Sequence, residues 1–287
     1  MKKFEGITLD AEYNNRALVP DFADYLGRWS QASIQARQGS WRKLDVAYGD
    51  GINEALDIFP ASSPNAPVLV FLHGGYWRSL DKSDHSFIAP AFNKTGACVV
   101  VPNYALCPDV TIPQITLQMV KALAWVYRHI DQYGGDPKRI TVAGHSAGGH
   151  LAAMLLACQW KTYAPDLPHK LLKNALSISG LHELESIRHT PFLQGALRLT
   201  PAQVKKASPA WLPAPSIYAG RGILHSVAGG AESASFMRQN ALIQKAWGKR
   251  VVPVCEVLPN LNHFSILDAL IQPKHRLNQL ANALLSA

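Results

Sequence analysis

The stretch from Ile140 to Ala153, reading Ile-Thr-Val-Ala-Gly-His-Ser-Ala-Gly-Gly-His-Leu-Ala-Ala, constrains this chain more than any other. Within it, Gly144-His145-Ser146-Ala147-Gly148 fits Gly-x-Ser-x-Gly. A β-prone apolar run (Ile140 to Ala143) leads in and a helix-forming run (Leu151 to Cys158) leads out. That context predicts a sharp strand-to-helix turn that lifts one serine hydroxyl clear of the bend. Such a turn holds the serine backbone in a strained conformation. Gly144 and Gly148 lack a Cβ, so strand and helix can pass closely. The helix N-terminus also aims backbone N–H groups and a partial positive charge at the place where an oxyanion would form. Ser146 is therefore the candidate nucleophile.

Such a turn needs a buried sheet around it, and the composition can supply one. The 287 residues are 48% hydrophobic and 17% charged, enough apolar material for a large core. Single α/β domains reach this length, and the whole chain, 1–287, reads as one. Met1 to Gly6 lacks the apolar stretch of a signal peptide, and no run is long and apolar enough to span a bilayer. Cys98, Cys107, Cys158 and Cys255 show neither Cys-x-x-Cys spacing nor a compact framework, as expected for reduced thiols of a cytoplasmic protein. Net charge is +8, from 28 Lys and Arg against 20 Asp and Glu. These charges are scattered rather than interleaved with aromatics, which argues against nucleic acid as partner. A positive field does favour anionic substrates. The oligomeric state stays open, a homodimer included.

Strands and helices alternate along the chain. Asp10 to Gln38 carries helical spacing (Leu18, Phe22, Tyr25, Leu26, Trp29) and stops at Gly39, giving an N-terminal helical arm over 1–40. Extended segments at Arg42 to Tyr48 and Ile52 to Phe59 flank Gly49-Asp50-Gly51 and predict a hairpin. Apolar strands are expected at Val68 to Leu72, Ala97 to Val101, Ala175 to Ile178, Ile223 to Ala228 and Val251 to Leu258. A helix is expected from Ile115 to Ile130, with a turn at Asp136-Pro137 before the serine strand. Another runs from Ser233 to about Trp247, and one last helix runs to the C-terminus. Residues 181–215, rich in proline, read as a small helical lid or pocket-forming insertion. The result is an α/β fold: a mostly parallel central sheet with helices on both faces and an antiparallel N-terminal hairpin edge.

A serine hydroxyl attacks poorly until a base takes its proton and a carboxylate holds that base in the right tautomer. On folds with this turn, the chain order is serine, acid, histidine, each on a loop after a strand. His263 follows the Val251 to Leu258 strand in a polar loop and is the candidate base. Glu232, four residues past the Ile223 to Ala228 strand, is the candidate acid. Asp268 comes after His263, and Asp166, Glu183 and Glu185 come too early. An oxyanion hole would combine the N–H of Ala147 with one from the His73-Gly74-Gly75 loop. His73 has no second ligand at metal spacing and reads as a brace for that loop. No metal or cofactor is called for.

The motifs Gly144-His145-Ser146-Ala147-Gly148-Gly149-His150, His73-Gly74-Gly75-Tyr76-Trp77 and Asn103-Tyr104-Ala105-Leu106-Cys107-Pro108 resemble the α/β-hydrolase family. Within it, the chain is most similar to the kynurenine formamidases (arylformamidases) and their bacterial esterase relatives. Tyr13-Asn14-Asn15-Arg16, Ser179-Gly180, Gly230-Ala231-Glu232-Ser233 and Asn262-His263-Phe264 extend the likeness over nearly the whole chain. The resemblance implies the α/β-hydrolase fold, with Ser146, Glu232 and His263 as triad and Gly74, Gly75 and Ala147 as oxyanion hole. It differs in the acid, where some relatives carry aspartate, and at His182, where an aromatic is expected.

The implied activity is release of a formyl group from an aryl amine, as in N-formylkynurenine to kynurenine and formate. A general carboxylesterase is the alternative, and a non-catalytic binding module of the same fold is a remote one. Tyr76, Trp77, Tyr104, Phe192 and Trp211 are candidate walls for a flat aryl leaving group. Arg78, His182 and Arg188 are unranked candidates for its far end.

Overall fold

The computed structural model describes residues 9–39, 41–51, 53–215 and 222–287. Among these, eight strands form one sheet: β1 (Lys43–Ala47), β2 (Ala55–Phe59), β3 (Ala66–Leu72), β4 (Cys98–Pro102), β5 (Gly135–His145), β6 (Leu172–Ile178), β7 (Leu224–Gly229) and β8 (Val254–Leu258). Their spatial order is β1-β2-β4-β3-β5-β6-β7-β8. β2 runs antiparallel to both β1 and β4, and every other pairing is parallel. This is the α/β-hydrolase arrangement, with the hairpin at one edge.

The strand sequences are apolar because both sheet faces are covered. In β3, Val68, Val70 and Leu72 enter one core, whereas Leu69 and Phe71 enter the other, as a two-residue period requires. The helices Ile112–His129 and Ala147–Ala157 fill the first core, and Arg276–Ser286 packs into the second. A capping box from Thr111 and Gln114, with proline inside the first turn, starts the Ile112 helix.

Three local expectations need correction. Asp136-Pro137 is not a turn ahead of the serine strand. It lies inside β5, whose first residue, Gly135, already pairs with Ala66. The last helix is two, Ser265–Leu270 and Arg276–Ser286, because Pro273 cannot continue a helix. The N-terminal helical run is also divided, into Leu9–Tyr13, Asn15–Leu18 and Phe22–Ala36. The hairpin strands pair as expected, Ala47 opposite Ala55. Ile52, placed in the second of them from sequence, lies outside the described residues.

Residues 181–215 form short helices at Glu185–Arg188, Pro191–Leu197 and Pro201–Ala207, and a turn of 3-10 helix at Pro209–Trp211. Leu184, Ile187, Leu193, Leu197, Val204 and Ala207 bury themselves in the first core, so this stretch is packed on the body. Among the described residues, no helix is long and apolar enough to cross a membrane.

Candidate active site

Parallel strands place all their carboxyl ends on one edge of the sheet, and the loops leaving β3, β5, β7 and β8 meet there. Ser146 follows β5 directly and precedes the Ala147–Ala157 helix, with φ 58° and ψ −117°. A non-glycine residue adopts such a backbone only where its surroundings enforce it. Here the enforcement is visible on both sides. The Ser146 N–H donates to Ile178 O of β6 at 2.8 Å. A Cβ on Gly148 would lie 2.0 Å from Leu72 O, and one on Gly144 2.1 Å from Gly148 O. The helix therefore passes too close to the sheet for any side chain at these two positions.

Glu232 lies in the loop after β7. Its Oε1 accepts from Ser179 Oγ at 2.5 Å and from the Gly229 N–H at 2.7 Å. Its Oε2 stands 2.7 Å from His263 Nδ1, with the carboxylate side chain fully buried and the imidazole nearly so. A buried carboxylate is costly unless it is hydrogen-bonded, and here three donors serve its two oxygens. The loops carrying the two residues are themselves tied together: Gly230 N–H donates to Leu258 O and Ala231 N–H to Leu261 O. On the far side, Asn262 Oδ1 accepts from the N–H groups of Phe264 and Ser265, fixing the turn that presents His263. The imidazole rests between Phe236 and His145, with ring centroids 4.7 and 4.6 Å away. Burial, then the neighbouring His263 and His85, hold the His145 pKa well below the usual range, so His145 is neutral.

Across the site, the loop after β3 takes left-handed backbone at three successive residues: Gly75 (φ 100°), Tyr76 (φ 51°) and Trp77 (φ 55°). At Gly75 an added Cβ would meet Ser79 O at 2.1 Å. Gly74 packs against the serine, since a Cβ there would be 3.2 Å from Ser146 Cβ. His73 anchors this loop. Its Nδ1 bonds Gly74 O at 2.9 Å, its Nε2 faces Asn103 Oδ1 at 3.2 Å, and its ring stacks on Tyr104 at 4.1 Å. Burial lowers its pKa to about 4. Ala147 is the first helical residue, so its N–H has no acceptor within the helix.

Ser146 and His263 open onto one cavity of about 780 Å³, shared with Gly75, Tyr76, His145 and Phe264. Of the five expected aromatic walls, Tyr76 and Phe192 line it. Trp77, Tyr104 and Trp211 do not, and the expectation is corrected for them. Trp77 is fully buried edge-on against His150, because its left-handed backbone turns the indole into the core. Tyr104 is fully buried too, donating its hydroxyl to His73 O and stacking on the His73 ring. Trp211, 49% exposed, sits on the surface. Among the far-end candidates, His182 is buried against Ser177 and Arg188 pairs with Glu185, so neither reaches the cavity. Arg78 does.

The wall that sequence reasoning missed is N-terminal. Asn14, Asn15, Arg16 and Ala17 line the cavity, with Leu26 and Trp29 from the Phe22–Ala36 helix. Tyr76 Oη donates to Tyr13 O, Ser233 Oγ to Glu12 O, and Phe192 N–H to Asp10 Oδ1. The Tyr13-Asn14-Asn15-Arg16 similarity was the available signal, but helical spacing alone does not say what a helix end touches. Asp268, passed over as the acid, bonds Trp29 Nε1 and Arg28 instead. Among the described residues no group of three or more His, Cys, Asp and Glu is placed to hold a metal ion.

The fold is that of the α/β-hydrolase class, and comparison with known proteins agrees. Residues 56–174 match the BD-FAE family model. Kynurenine formamidase of Salmo salar is 30% identical over 261 residues, covering 87% of this chain and 84% of the relative. That of Danio rerio is 29% identical over 250 residues, covering 86% and 83%. A solved structure from Silicibacter sp. TM1040, provisionally described as a thioesterase, superposes with a TM-score of 0.83 at 28% identity, covering 98% of this chain and all of the other. A hyperthermophilic esterase from Pyrobaculum calidifontis shares the fold, with a TM-score of 0.67 at 18% identity, covering 92% and 89%. The chain belongs to the α/β-hydrolase family, in the group that contains the kynurenine formamidases.

Proposed function

We propose that this chain is a serine hydrolase that removes a small acyl group, a formyl group above all, from an aryl amine through an acyl-enzyme. Ser146 attacks the carbonyl and His263 takes its proton. Glu232 fixes the Nδ1–H tautomer of His263, so that Nε2 is the atom free to accept. The observation that carries this reading is the 2.7 Å Glu232–His263 contact at the wall of the cavity onto which the strained Ser146 turn opens. As the tetrahedral intermediate forms, its oxyanion takes hydrogen bonds from the N–H of Ala147 and from the Gly74-Gly75 loop, each worth about 3 kcal/mol. His263 then protonates the leaving amine, and water, activated by the same imidazole, frees formate and Ser146.

The formamidase choice rests on the two relatives named kynurenine formamidase and on a cavity with aromatic walls at Tyr76 and Phe192. An aryl carboxylesterase would use the same machinery. A fluorophosphonate probe should label the wild type on Ser146 and leave Ser146→Ala untouched; labelling of the alanine variant would end the serine assignment. Relative kcat/KM for N-formylkynurenine and p-nitrophenyl acetate separates the substrates, because formamide turnover at background would leave only the esterase.

A further inference from the structure

One strand end serves two of the three proposed reacting groups. β6 finishes at Ile178, whose carbonyl accepts from the Ser146 N–H at 2.8 Å. The next residue, Ser179, donates from Oγ to Glu232 Oε1 at 2.5 Å. Nucleophile and acid are therefore tied to adjacent residues of one segment, which lies between β5 and β7 in the sheet.

Ser179 takes an uncommon backbone for its residue type. It is fully buried with φ 50°, a left-handed conformation that glycine would adopt without strain. Its N–H donates to Val227 O at 2.7 Å, which pins it to β7, the strand whose loop carries Glu232. A serine held there at the cost of strain supplies one thing that glycine cannot, a hydroxyl aimed at the acid. That hydroxyl and the Gly229 N–H approach the same carboxylate oxygen, leaving Oε2 for His263 Nδ1. With one donor on Oε1, the carboxylate can still swing about that hydrogen bond. A second donor on the same oxygen removes the freedom. The hydroxyl also stands in for water beside a carboxylate that has no exposure of its own.

We propose that Ser179 is a positioning residue for the triad: its hydroxyl holds the Glu232 carboxylate in the plane that presents Oε2 to His263. The working unit is then four side chains, Ser179, Glu232, His263 and Ser146. This rests on the hydrolase reading of the last three and adds a group to it. Ser179 does not line the cavity and takes no part in the proton transfers.

The test uses the full chain, with p-nitrophenyl acetate and an aryl formamide as substrates. Ser179→Ala deletes the hydroxyl and keeps the Cβ. Ser179→Gly deletes it and also relieves the left-handed strain, so a loss of activity there owes nothing to a strained backbone. Both should lower kcat about tenfold or more, the scale of one hydrogen bond to a charged group, with KM within about twofold of wild type. In a Glu232→Ala background no carboxylate remains to be held, and the same substitutions should change the residual rate by less than about twofold. The rate of fluorophosphonate labelling of Ser146 reads that residual activity where turnover is too slow. Ser179 variants with wild-type kcat, a loss carried by KM, or an equal loss in the Glu232→Ala background would overturn the proposal. Failure of both variants to fold would overturn it too, since Ser179 would then be a structural residue. In each of these cases, wild-type turnover and labelling on Ser146 leave the hydrolase reading in place. Absence of either in the wild type would bring down that reading instead.

Discussion

Glu232→Gln is the substitution whose effect the geometry specifies most closely. In the wild type, Oε1 is an acceptor for two donors, Ser179 Oγ and the Gly229 N–H, while Oε2 faces His263 Nδ1 at 2.7 Å. A glutamine amide must keep its oxygen on the side of the two donors, since turning it around would set an NH2 group against the Gly229 N–H. The NH2 then points at His263 Nδ1, which can only accept from it. Imidazole follows by moving its proton to Nε2, the atom that takes the serine proton in the proposed mechanism. Volume and packing are preserved, so the fold should be intact and the chemistry impaired. For a base locked in the wrong tautomer, the expected fall in kcat is about 10⁴-fold, or roughly 5.5 kcal/mol of barrier. KM should change little, because Glu232 does not line the cavity. The assay is steady-state hydrolysis of p-nitrophenyl acetate and of an aryl formamide, with thermal unfolding as the control for folding. Activity within tenfold of wild type at an unchanged Tm would refute the role given to Glu232.

Two further outcomes follow from where the aromatics and histidines sit. Trp77→Ala should lower stability by about 3–5 kcal/mol, as for other fully buried tryptophans, whereas Phe192→Ala should mainly raise KM for aryl substrates over acetate esters. Unfolding curves and paired kcat/KM values check both, and a stable Trp77→Ala with selective loss of aryl substrates would contradict the placement. The second concerns acid. Burial lowers the pKa of His73, His85 and His150 to about 4 and that of His182 to about 3. The unfolded chain binds these protons near pH 6.5, the folded chain only below about 4. Stability is therefore full above pH 6.5 and declines as pH falls from there toward 4, by up to about 2 kcal/mol per histidine at pH 5. Urea unfolding across that range checks the sign, and a protein equally stable at pH 7 and pH 5 would not fit.

Elements with a strong local rule were readable without coordinates. The Gly-x-Ser-x-Gly turn is one, because at Gly144 and Gly148 the contact distances leave no room for a side chain, and a chain without glycine there could not make the bend. The short apolar strands are another, since burial on both faces removes polar residues from them. Asp136-Pro137 misled because proline is a turn signal by default, yet it sits near the start of β5, beyond the well-paired part of the strand. The C-terminal break at Pro273 carries its own signal, since proline cannot continue a helix.

What sequence determined here is the order and spacing of the proposed reacting groups: a serine on a forced bend, then Glu232, then His263, each just beyond a buried strand. Those are local properties, set by which residues tolerate a strain or leave a strand. What only the tertiary structure decided is direction. Tyr76 faces the cavity while its neighbour Trp77 faces the core, because consecutive left-handed residues point their side chains apart. The Asn14–Ala17 segment reaches the same space from far away in the chain, and the residues just before it, Asp10, Glu12 and Tyr13, accept hydrogen bonds from residues more than sixty positions away. No periodicity encodes a contact of that kind, since it exists only once the sheet has brought its edges together.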